Sequence, residues 1–205
     1  MAEPFDPTTV FEHAIAEHLR VIRALPAQRP VLERIAAAMT RAVLGDHKVL
    51  WFGNGGSAAD AQHLAAEFVG RFRRERRGMP SIALTTDTSI LTSISNDYGY
   101  ESVFSRQVEA LGGAGDLVVG ISTSGNSRNV CLGLEAAREL GALTVAFTGQ
   151  SGGRMAGIAH ETLCIASDDT ARIQEGHILC GHMLCDWVEL SLCGHQPAEG
   201  AAVSR

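Results

Sequence analysis

The stretch Lys48–Gly70, with the sequence KVLWFGNGGSAADAQHLAAEFVG, constrains the fold of this chain most strongly. It predicts a buried strand, a glycine-rich turn at Gly53–Ser57 and then a helix that carries His63 and Glu67. Such a turn presents unpaired backbone N–H groups to an anion, most often a phosphate. Because His63 and Glu67 are four residues apart, they lie on one helix face, one turn from each other. This unit therefore offers an anion anchor together with an acid–base or metal-binding pair.

The chain from Lys48 onward alternates between short apolar segments and helical segments, which is typical of a parallel sheet covered on both faces. We predict an α/β fold, a three-layer αβα sandwich around a five-stranded, parallel, doubly wound sheet. The predicted strands are Val49–Phe52, Ser81–Leu84, Leu117–Ile121, Leu143–Phe147 and Thr162–Ile165. The predicted helices between and after them are Ala58–Val69, Ser89–Leu111 with a break near Asn96–Gly99, Arg128–Leu140, Arg154–Ile158 and Thr170–Leu192. Ligands of such sheets bind beyond the carboxyl ends of the strands, near the point where the strand order reverses.

The residues before the first strand predict a pair of helices. Asp6 is a good N-cap ahead of Pro7, and a second helix is predicted from Val31 to Leu44. The apolar stripes of these helices need a cover, which we expect to be the core and, in part, another subunit. We predict one domain over residues 1–193, with the helical pair in residues 1–46, and a flexible tail over residues 194–205.

The segment Ser122–Ser127, with the sequence STSGNS, places four hydroxyl groups at the predicted start of a helix, directly after a buried strand. Hydroxyl and backbone N–H groups at a helix N-terminus bind a phosphate through hydrogen bonds and the helix dipole, without Arg or Lys. The structural alternative is an ordinary group of N-capping residues, since Ser and Thr favour that position. The density of hydroxyl groups favours the phosphate site.

A dinucleotide-binding site is the alternative for the glycine-rich turn. Gly53, Gly55 and Ala58 formally fit the G-x-G-x-x-G/A fingerprint, and Asp87 follows the second predicted strand. That acid lies farther along the chain than the ~20-residue spacing of the fingerprint requires. The hydroxyl-rich segment also has no role in the fingerprint, so this interpretation is the weaker one.

The last predicted helix is apolar enough to be buried, yet it carries Gln174, His177 and His182. Buried polar side chains need partners, and imidazole, carboxylate and amide oxygen together suit a divalent metal such as zinc. Gln174 and His182 are about 12 Å apart along a straight helix. Both reach one metal only through long converging side chains, a kink at Gly176 or Gly181, or a neighbouring subunit. We therefore predict a site near a subunit interface.

Two further polar segments are open to more than one interpretation. The basic run Arg71–Arg77 predicts a solvated loop, with contact to an anionic substrate or a neighbouring subunit as the alternative. The pair Asn96–Asp97 predicts a helix end and turn, whose side chains can equally bind sugar hydroxyls.

The composition argues against several classes of partner. The 205 residues carry a net charge of −6, which disfavours nucleic acid and anionic membranes. No apolar run reaches the ~18 residues of a spanning helix, and the N-terminal residues do not predict a signal peptide. The five cysteines include no Cys-x-x-Cys motif and lie among apolar residues, so we expect reduced thiols in a cytoplasmic protein.

Several motifs occur in a fixed order along the chain: Gly53–Ser57, Ala61–His63, Glu67, Asn96–Asp97, Ser122–Ser127, Arg172–Glu175 and His182. Together they resemble the sedoheptulose 7-phosphate isomerases (phosphoheptose isomerases), which belong to the wider group of sugar isomerase (SIS) domains. The resemblance implies a homotetramer with active sites shared between subunits. It also implies the conversion of D-sedoheptulose 7-phosphate to D-glycero-D-manno-heptose 7-phosphate, an early step towards heptose-containing bacterial surface polysaccharides.

The resemblance also implies roles for individual residues. Glu67 corresponds to the catalytic base of the family and His182 to its catalytic histidine. The residues that correspond to substrate contacts are Asn54, Gly55, Gly56, Glu67, Asn96, Asp97, Ser122, Thr123, Ser124, Ser127 and Gln174, with the four hydroxyl residues as the phosphate cradle. The zinc ligands of the metal-bearing members correspond to His63, Glu67, Gln174 and His182, so we expect one zinc ion per subunit.

This assignment agrees with elementary chemistry. Aldose–ketose isomerisation moves a proton between C1 and C2 through an enediol(ate), for which a carboxylate and an imidazole suffice, with a metal polarising the carbonyl. The alternative is a non-catalytic SIS adaptor of the kind that associates with the replication initiator DnaA. Those relatives lack the glutamate and the histidine, whereas Glu67 and His182 are both present here. The enzyme is therefore the favoured interpretation.

Overall fold

A computed structural model describes residues 7–195, in which five strands form one parallel sheet in the order β2-β1-β3-β4-β5. The strands are β1 (Val49–Gly53), β2 (Ser81–Ala83), β3 (Leu117–Ile121), β4 (Leu143–Thr148) and β5 (Glu161–Cys164). β2 lies on one side of β1, and β3, β4 and β5 follow on the other side. The strand order therefore reverses at β1, and the sheet is doubly wound, as predicted. Every predicted strand is present, and the ends agree to within one residue.

The helices of the described chain are α1 (Pro7–Ala24), α2 (Arg29–Leu44), α3 (Gly56–Val69), α4 (Thr88–Tyr98), α5 (Ser105–Leu111), α6 (Arg128–Glu139), α7 (Met155–Ile158) and α8 (Thr170–His195). The helical segment predicted over residues 89–111 is broken, as expected, because Gly99 ends α4 with a φ of 88°. The last helix runs to His195, so the first two residues of the predicted tail are helical. The rest of that tail and the predicted cap Asp6 lie outside the described residues.

The strands are buried on both faces, and successive side chains enter two separate cores. Val49 and Trp51 of β1 pack into a core formed with α2, α3 and α8. Leu50 and Phe52 pack into a second core formed with α5 and α6. Because side chains alternate across a strand, continuous apolar runs are what a sheet between two helical layers requires. The predicted three-layer sandwich is confirmed.

The N-terminal helices differ in how much they bury. Ile35 and Met39 of α2 are fully buried in the core shared with α8. In α1, by contrast, Val21 is buried while Val10 and Phe11 are largely exposed. An apolar stripe of α1 is therefore uncovered within one chain, and the predicted contact of this pair with another subunit stays a prediction.

Two further observations concern Asp87 and the length of the helices. Asp87, the acid of the dinucleotide alternative, is the N-cap of α4 and accepts a hydrogen bond from the backbone N–H of Ile90 at 3.0 Å. Between residues 7 and 195, no helix is both long and apolar enough to cross a membrane.

Gly120 of β3 sets the distance between the sheet and α6. A Cβ atom on Gly120 would lie 2.8 Å from Cγ1 of Val130 and 3.2 Å from Cδ1 of Leu134. Both neighbours are fully buried and cannot move away. The close approach of α6 to β3 thus depends on the absence of a side chain at Gly120.

We expect Gly120→Ala to lower the free energy of unfolding by about 1–3 kcal/mol, because the added methyl group overpacks the core. Gly157→Ala is the matched control, since a Cβ on Gly157 would meet nothing within 4 Å. Urea denaturation at a fixed protein concentration measures both variants. Equal stability of the two variants would contradict the close packing of β3 against α6.

Candidate active site

The glycine-rich turn between β1 and α3 brings the last helix to the carboxyl end of β1. Gly55 has a φ of 56°, a left-handed conformation that favours glycine. A Cβ atom on Gly56 would collide with the side-chain amide of Gln174. Gly56 therefore allows Gln174 to lie against the first turn of α3, so that these two predicted substrate-binding residues are neighbours.

Asn54 joins the glycine-rich turn to the start of α6. Its side-chain amide exchanges two hydrogen bonds with the amide of Asn129, each 2.9 Å long. The hydroxyl group of Tyr100 also donates to Oδ1 of Asn54 at 3.1 Å. Sequence reasoning predicted Asn54 but missed the two residues that orient it. The paired amides hold the ends of β1 and β3 together at the point where the strand order reverses.

The hydroxyl-rich loop Ser122–Ser127 follows β3 and leads into α6, as predicted. The Oγ atom of Ser122 lies 2.9 Å from Oγ of Ser127 and 3.4 Å from Oγ of Ser124. Gly125 has a φ of 65°, and a Cβ there would collide with the backbone of the loop after β4. Three hydroxyl groups thus cluster at the N-terminus of α6, where the helix dipole favours an anion.

A cavity of about 660 Å³ opens beside this loop, at the carboxyl edge of the sheet. Thr123 and Ser124 of the predicted phosphate cradle line it. The polar lining residues that sequence reasoning missed are Asn126, Gln150, Ser151, Ser167, Asp168 and Thr170. All but Asn126 follow β4 or β5, so the rule that ligands bind beyond strand carboxyl ends could have pointed to them.

Three side chains converge between α3 and α8. Nε2 of His63 lies 2.9 Å from Nε2 of His182 and 3.3 Å from Oε1 of Glu67. One ligand atom from each of the three lies within 4.8 Å of the other two. Gly181 allows this approach of the two helices, since a Cβ there would collide with Leu64. The predicted base and the predicted catalytic histidine are therefore neighbours.

The charge state of this trio suits a metal. Burial and the neighbouring His63 lower the pKa of His182, Glu67 acts in the opposite direction, and Arg73 lowers it further. The facing nitrogens of His63 and His182 lie 2.9 Å apart, so one of them accepts and has a lone pair to offer. Neutral imidazole and carboxylate are common zinc ligands, so the residues present fit a zinc ion.

Asp60, one helical turn before His63, is an acid that sequence reasoning missed. Burial raises the pKa of its carboxyl to about 6, and His63 acts against this shift. Its Oδ2 atom is buried and has no hydrogen-bond partner in the part of the chain that the structure describes. Asp60 thus adds a group that exchanges a proton near neutral pH beside the trio.

The side-chain amide of Gln174 lies against Gly56, seven residues before His63 on α3. Its predicted role as a fourth metal ligand stays a prediction. The helix that carries Gln174 and His182 is uninterrupted from Thr170 to His195. The two glycines expected as kink points instead give room to the side chains of neighbouring elements.

His177, another polar residue of α8, has a structural role. Its Nε2 atom lies 3.0 Å from the carbonyl oxygen of Thr148 and therefore donates to it. The side chain is fully buried, and burial lowers its pKa to about 4. His177 is thus neutral and ties α8 to the end of β4, away from the trio.

Asn96 and Asp97 lie in the last turn of α4. Nδ2 of Asn96 donates to Oδ1 of Asp97 at 2.8 Å, and both residues are exposed. Neither lines the cavity beside Ser124. The fold confirms the predicted helix end, and the predicted contact of both residues with substrate stays a prediction.

Comparisons with known proteins agree with this architecture. The family model of the SIS domain matches residues 11–149. The phosphoheptose isomerase of Aquifex aeolicus (strain VF5) is 60% identical over 159 residues, which are 78% of this chain and 83% of that protein. The phosphoheptose isomerase structure from Neisseria gonorrhoeae has a TM-score of 0.86 at 43% identity and covers 90% of this chain and 100% of its own. The corresponding structure from Francisella tularensis has a TM-score of 0.82 at 36% identity, covering 89% and 96%.

The similarity to these isomerases extends over most of both chains. It agrees with the parallel sheet and the glycine-rich turn that the residue pattern predicted. The chain belongs to the phosphoheptose isomerase family of SIS-domain proteins and is an isomerase.

Proposed function

We propose that this isomerase converts D-sedoheptulose 7-phosphate to D-glycero-D-manno-heptose 7-phosphate through an enediol(ate). The observation that carries the proposal is the convergence of Glu67 and His182, whose ligand atoms lie within 4.8 Å of each other. The names of the relatives support the substrate class, since proteins 50–60% identical to this chain are phosphoheptose isomerases.

The two side chains divide the proton transfers between them. Glu67, as the base, takes the proton from one of the two carbons C1 and C2 and returns it to the other. His182 serves the two oxygens, since a neutral imidazole both accepts and donates a proton near neutral pH. It also opens the cyclic form of the sugar. His63 contacts both of these residues and keeps their side chains together.

A zinc ion is part of this proposal, one per subunit. His63, Glu67 and His182 would hold it, and a bound zinc ion would polarise the substrate carbonyl. Gln174 lies at Gly56 in its own chain. Its predicted role as the fourth ligand calls for a long converging side chain or for the amide of a neighbouring subunit.

The phosphate group binds at the other end of the site. We assign it to Ser122, Thr123, Ser124 and Ser127, because hydroxyl groups cluster there at a helix N-terminus beside a large cavity. Fixing the phosphate orients the reacting carbons, which converts binding into a rate advantage. Asn54 and the backbone at Gly55 and Gly56 lie at the neighbouring strand end and contact the sugar.

An oligomer completes the site in this proposal. The side chain of His63 is 49% exposed within one chain. A second subunit over this face would shield the site from bulk water. The exposed apolar stripe of α1 offers a surface for a second subunit. We propose a cytoplasmic homotetramer with sites at subunit interfaces, acting in the synthesis of heptose-containing surface polysaccharides.

Glu67→Gln and His182→Gln are each expected to lower kcat by about 10²- to 10⁴-fold, the usual contribution of general acid–base catalysis. The assay is the appearance of the aldose from sedoheptulose 7-phosphate. Glu75→Gln, at an exposed glutamate of the following loop, is the matched control and keeps the parent rate.

Two outcomes would contradict the proposal. Full activity in both variants would remove Glu67 and His182 from the mechanism. A parent protein that turns over no heptose phosphate but binds the replication initiator would favour the adaptor instead.

We expect the purified protein to contain about one zinc ion per chain and to lose both metal and activity on prolonged chelation. His63→Ala removes one of three converging ligands and lowers the zinc content, measured by elemental analysis. His47→Ala, before the amino end of β1, is the matched control that keeps the metal. Full activity of a zinc-free protein would contradict the zinc assignment and leave the acid–base pair intact.

A further inference from the structure

The basic run Arg71–Arg77 is a largely exposed loop, as predicted, but one of its side chains, that of Arg76, is buried in an ion pair. The carboxylate of Glu189 on α8 is fully buried, and the side chain of Arg76 is only 2% exposed. Nε of Arg76 lies 3.2 Å from Oε1 of Glu189. A buried carboxylate needs compensation for its lost hydration. Its remaining contacts show where that compensation comes from.

Glu189 fixes the start of the loop through backbone hydrogen bonds. It accepts from the N–H groups of Phe72, Arg73 and Arg74, each at 2.9 Å. Burial opposes the charge, but these three bonds and Arg76 outweigh it and hold the pKa of Glu189 below its ordinary value. Three consecutive backbone groups are thus tied to one buried side chain.

Arg76 ties the same cluster to the end of α3. Its guanidinium group donates to the carbonyl oxygens of Glu67 and Phe68, both at 2.8 Å, and to that of Gly70 at 3.0 Å. Glu67 and Phe68 lie in the last turn of α3, and Gly70 follows it directly. Carbonyl groups at a helix end lack partners within the helix, and that of Phe68 also accepts from the N–H of Met79 at 3.0 Å. The backbone of the residue that carries the proposed base is therefore held by the ion pair.

The loop places an aromatic ring on the proposed catalytic histidine. The ring of Phe72 stacks on the imidazole of His182 with a centroid distance of 5.4 Å and an interplanar angle of 22°. Phe72 is half-buried against the core, and the guanidinium of Arg73 lies 5.1 Å from its ring centroid. The imidazole thus contacts two rings, that of Phe72 and that of His63, whose centroid lies 5.0 Å away at an interplanar angle of 62°.

We propose that the Arg76–Glu189 pair is a clamp that positions the acid–base pair, holding Glu67 through the end of α3 and His182 through the ring of Phe72. The inference rests on the proposed function for its catalytic consequence. The geometric part, a ring that fixes His182, does not depend on turnover. Arg76, Glu189 and Phe72 are positioning residues in this account, since none of them reacts with substrate.

The test separates positioning from simple structural support by comparing Phe72→Leu with Phe72→Tyr. Leucine keeps an apolar side chain against the core but removes the ring, whereas tyrosine keeps the ring. We expect Phe72→Leu to lower kcat on the order of ten- to hundredfold with little change in KM, because misplacement of a reacting group costs rate. We expect Phe72→Tyr to keep most of the parent kcat, because the ring is still present.

A second pair of variants tests the clamp itself. Arg76→Lys keeps the charge but loses the planar fork that reaches several carbonyl groups, so kcat falls again at similar KM. The exposed neighbour Arg77→Lys is the matched control and keeps the parent rate. Glu189→Gln is less informative, since an uncompensated buried arginine threatens the fold itself.

An NMR measurement makes the result independent of turnover. In protein labelled at histidine, the ring signals of His182 are assigned by their loss in His182→Gln. Phe72→Leu should move them downfield, because the ring current of Phe72 is lost, and Phe72→Tyr should leave them near their parent positions.

The outcomes are decisive for the positioning claim. Unmoved His182 signals in a folded Phe72→Leu variant, or equal loss of kcat in the leucine and tyrosine variants, would overturn it. If the parent protein isomerises no heptose phosphate, the proposed function fails, and the NMR comparison alone supports or overturns the contact between the ring and His182.

Discussion

The close contact between α3 and α8 is the interaction on which the rest of the site depends. The two helices run in the same direction on one face of the sheet, with Gly56 facing Gln174 at one end and Gly181 facing Leu64 farther along. A methyl group at Gly181 would separate them, because it would meet the fully buried Leu64. Because His63 and Glu67 lie on α3 and His182 on α8, the distance between the proposed acid and base is set by this contact.

The doubly wound sheet supplies the other half of the site. β1 and β3 are neighbours whose carboxyl ends lead into the glycine-rich turn and the hydroxyl-rich loop. The paired amides of Asn54 and Asn129 keep these two segments together. A parallel sheet thus places polar loops at one edge, while its apolar strands bury both faces. In the proposed function, this edge holds the phosphate end of the substrate and the helices hold the reacting end.

Local features of this site could be predicted from the sequence because they depend on short-range geometry. The apolar strands, the hydroxyl-rich helix start and the shared face of His63 and Glu67 all follow from spacing alone. The contact of His63 with His182 joins residues 119 positions apart, and the sequence indicated it only through a family resemblance. The resemblance also implies that Gln174 is a metal ligand. This stays a prediction, since the side-chain amide lies against Gly56 in its own chain.

The basic run shows a mixed case. Most of it is exposed, as a segment rich in arginine predicts, yet the side chain of Arg76 is buried because Glu189, far along the chain, faces it. Charge patterns report the average behaviour of a segment, and a single buried partner overrides them. The polar residues after β4 and β5 were missed for a related reason, since loops without a motif give no local signal.

The central claim is that Glu67 transfers a carbon-bound proton during the isomerisation. The most direct measurement is the reaction of sedoheptulose 7-phosphate in D₂O, with the isotope at C2 of the aldose product read by NMR. A proton held by a carboxyl group during the transfer exchanges with water before it returns to carbon, so the account predicts deuterium at C2. A product that carries only protium at C2, transferred directly from C1 of the ketose, would contradict it.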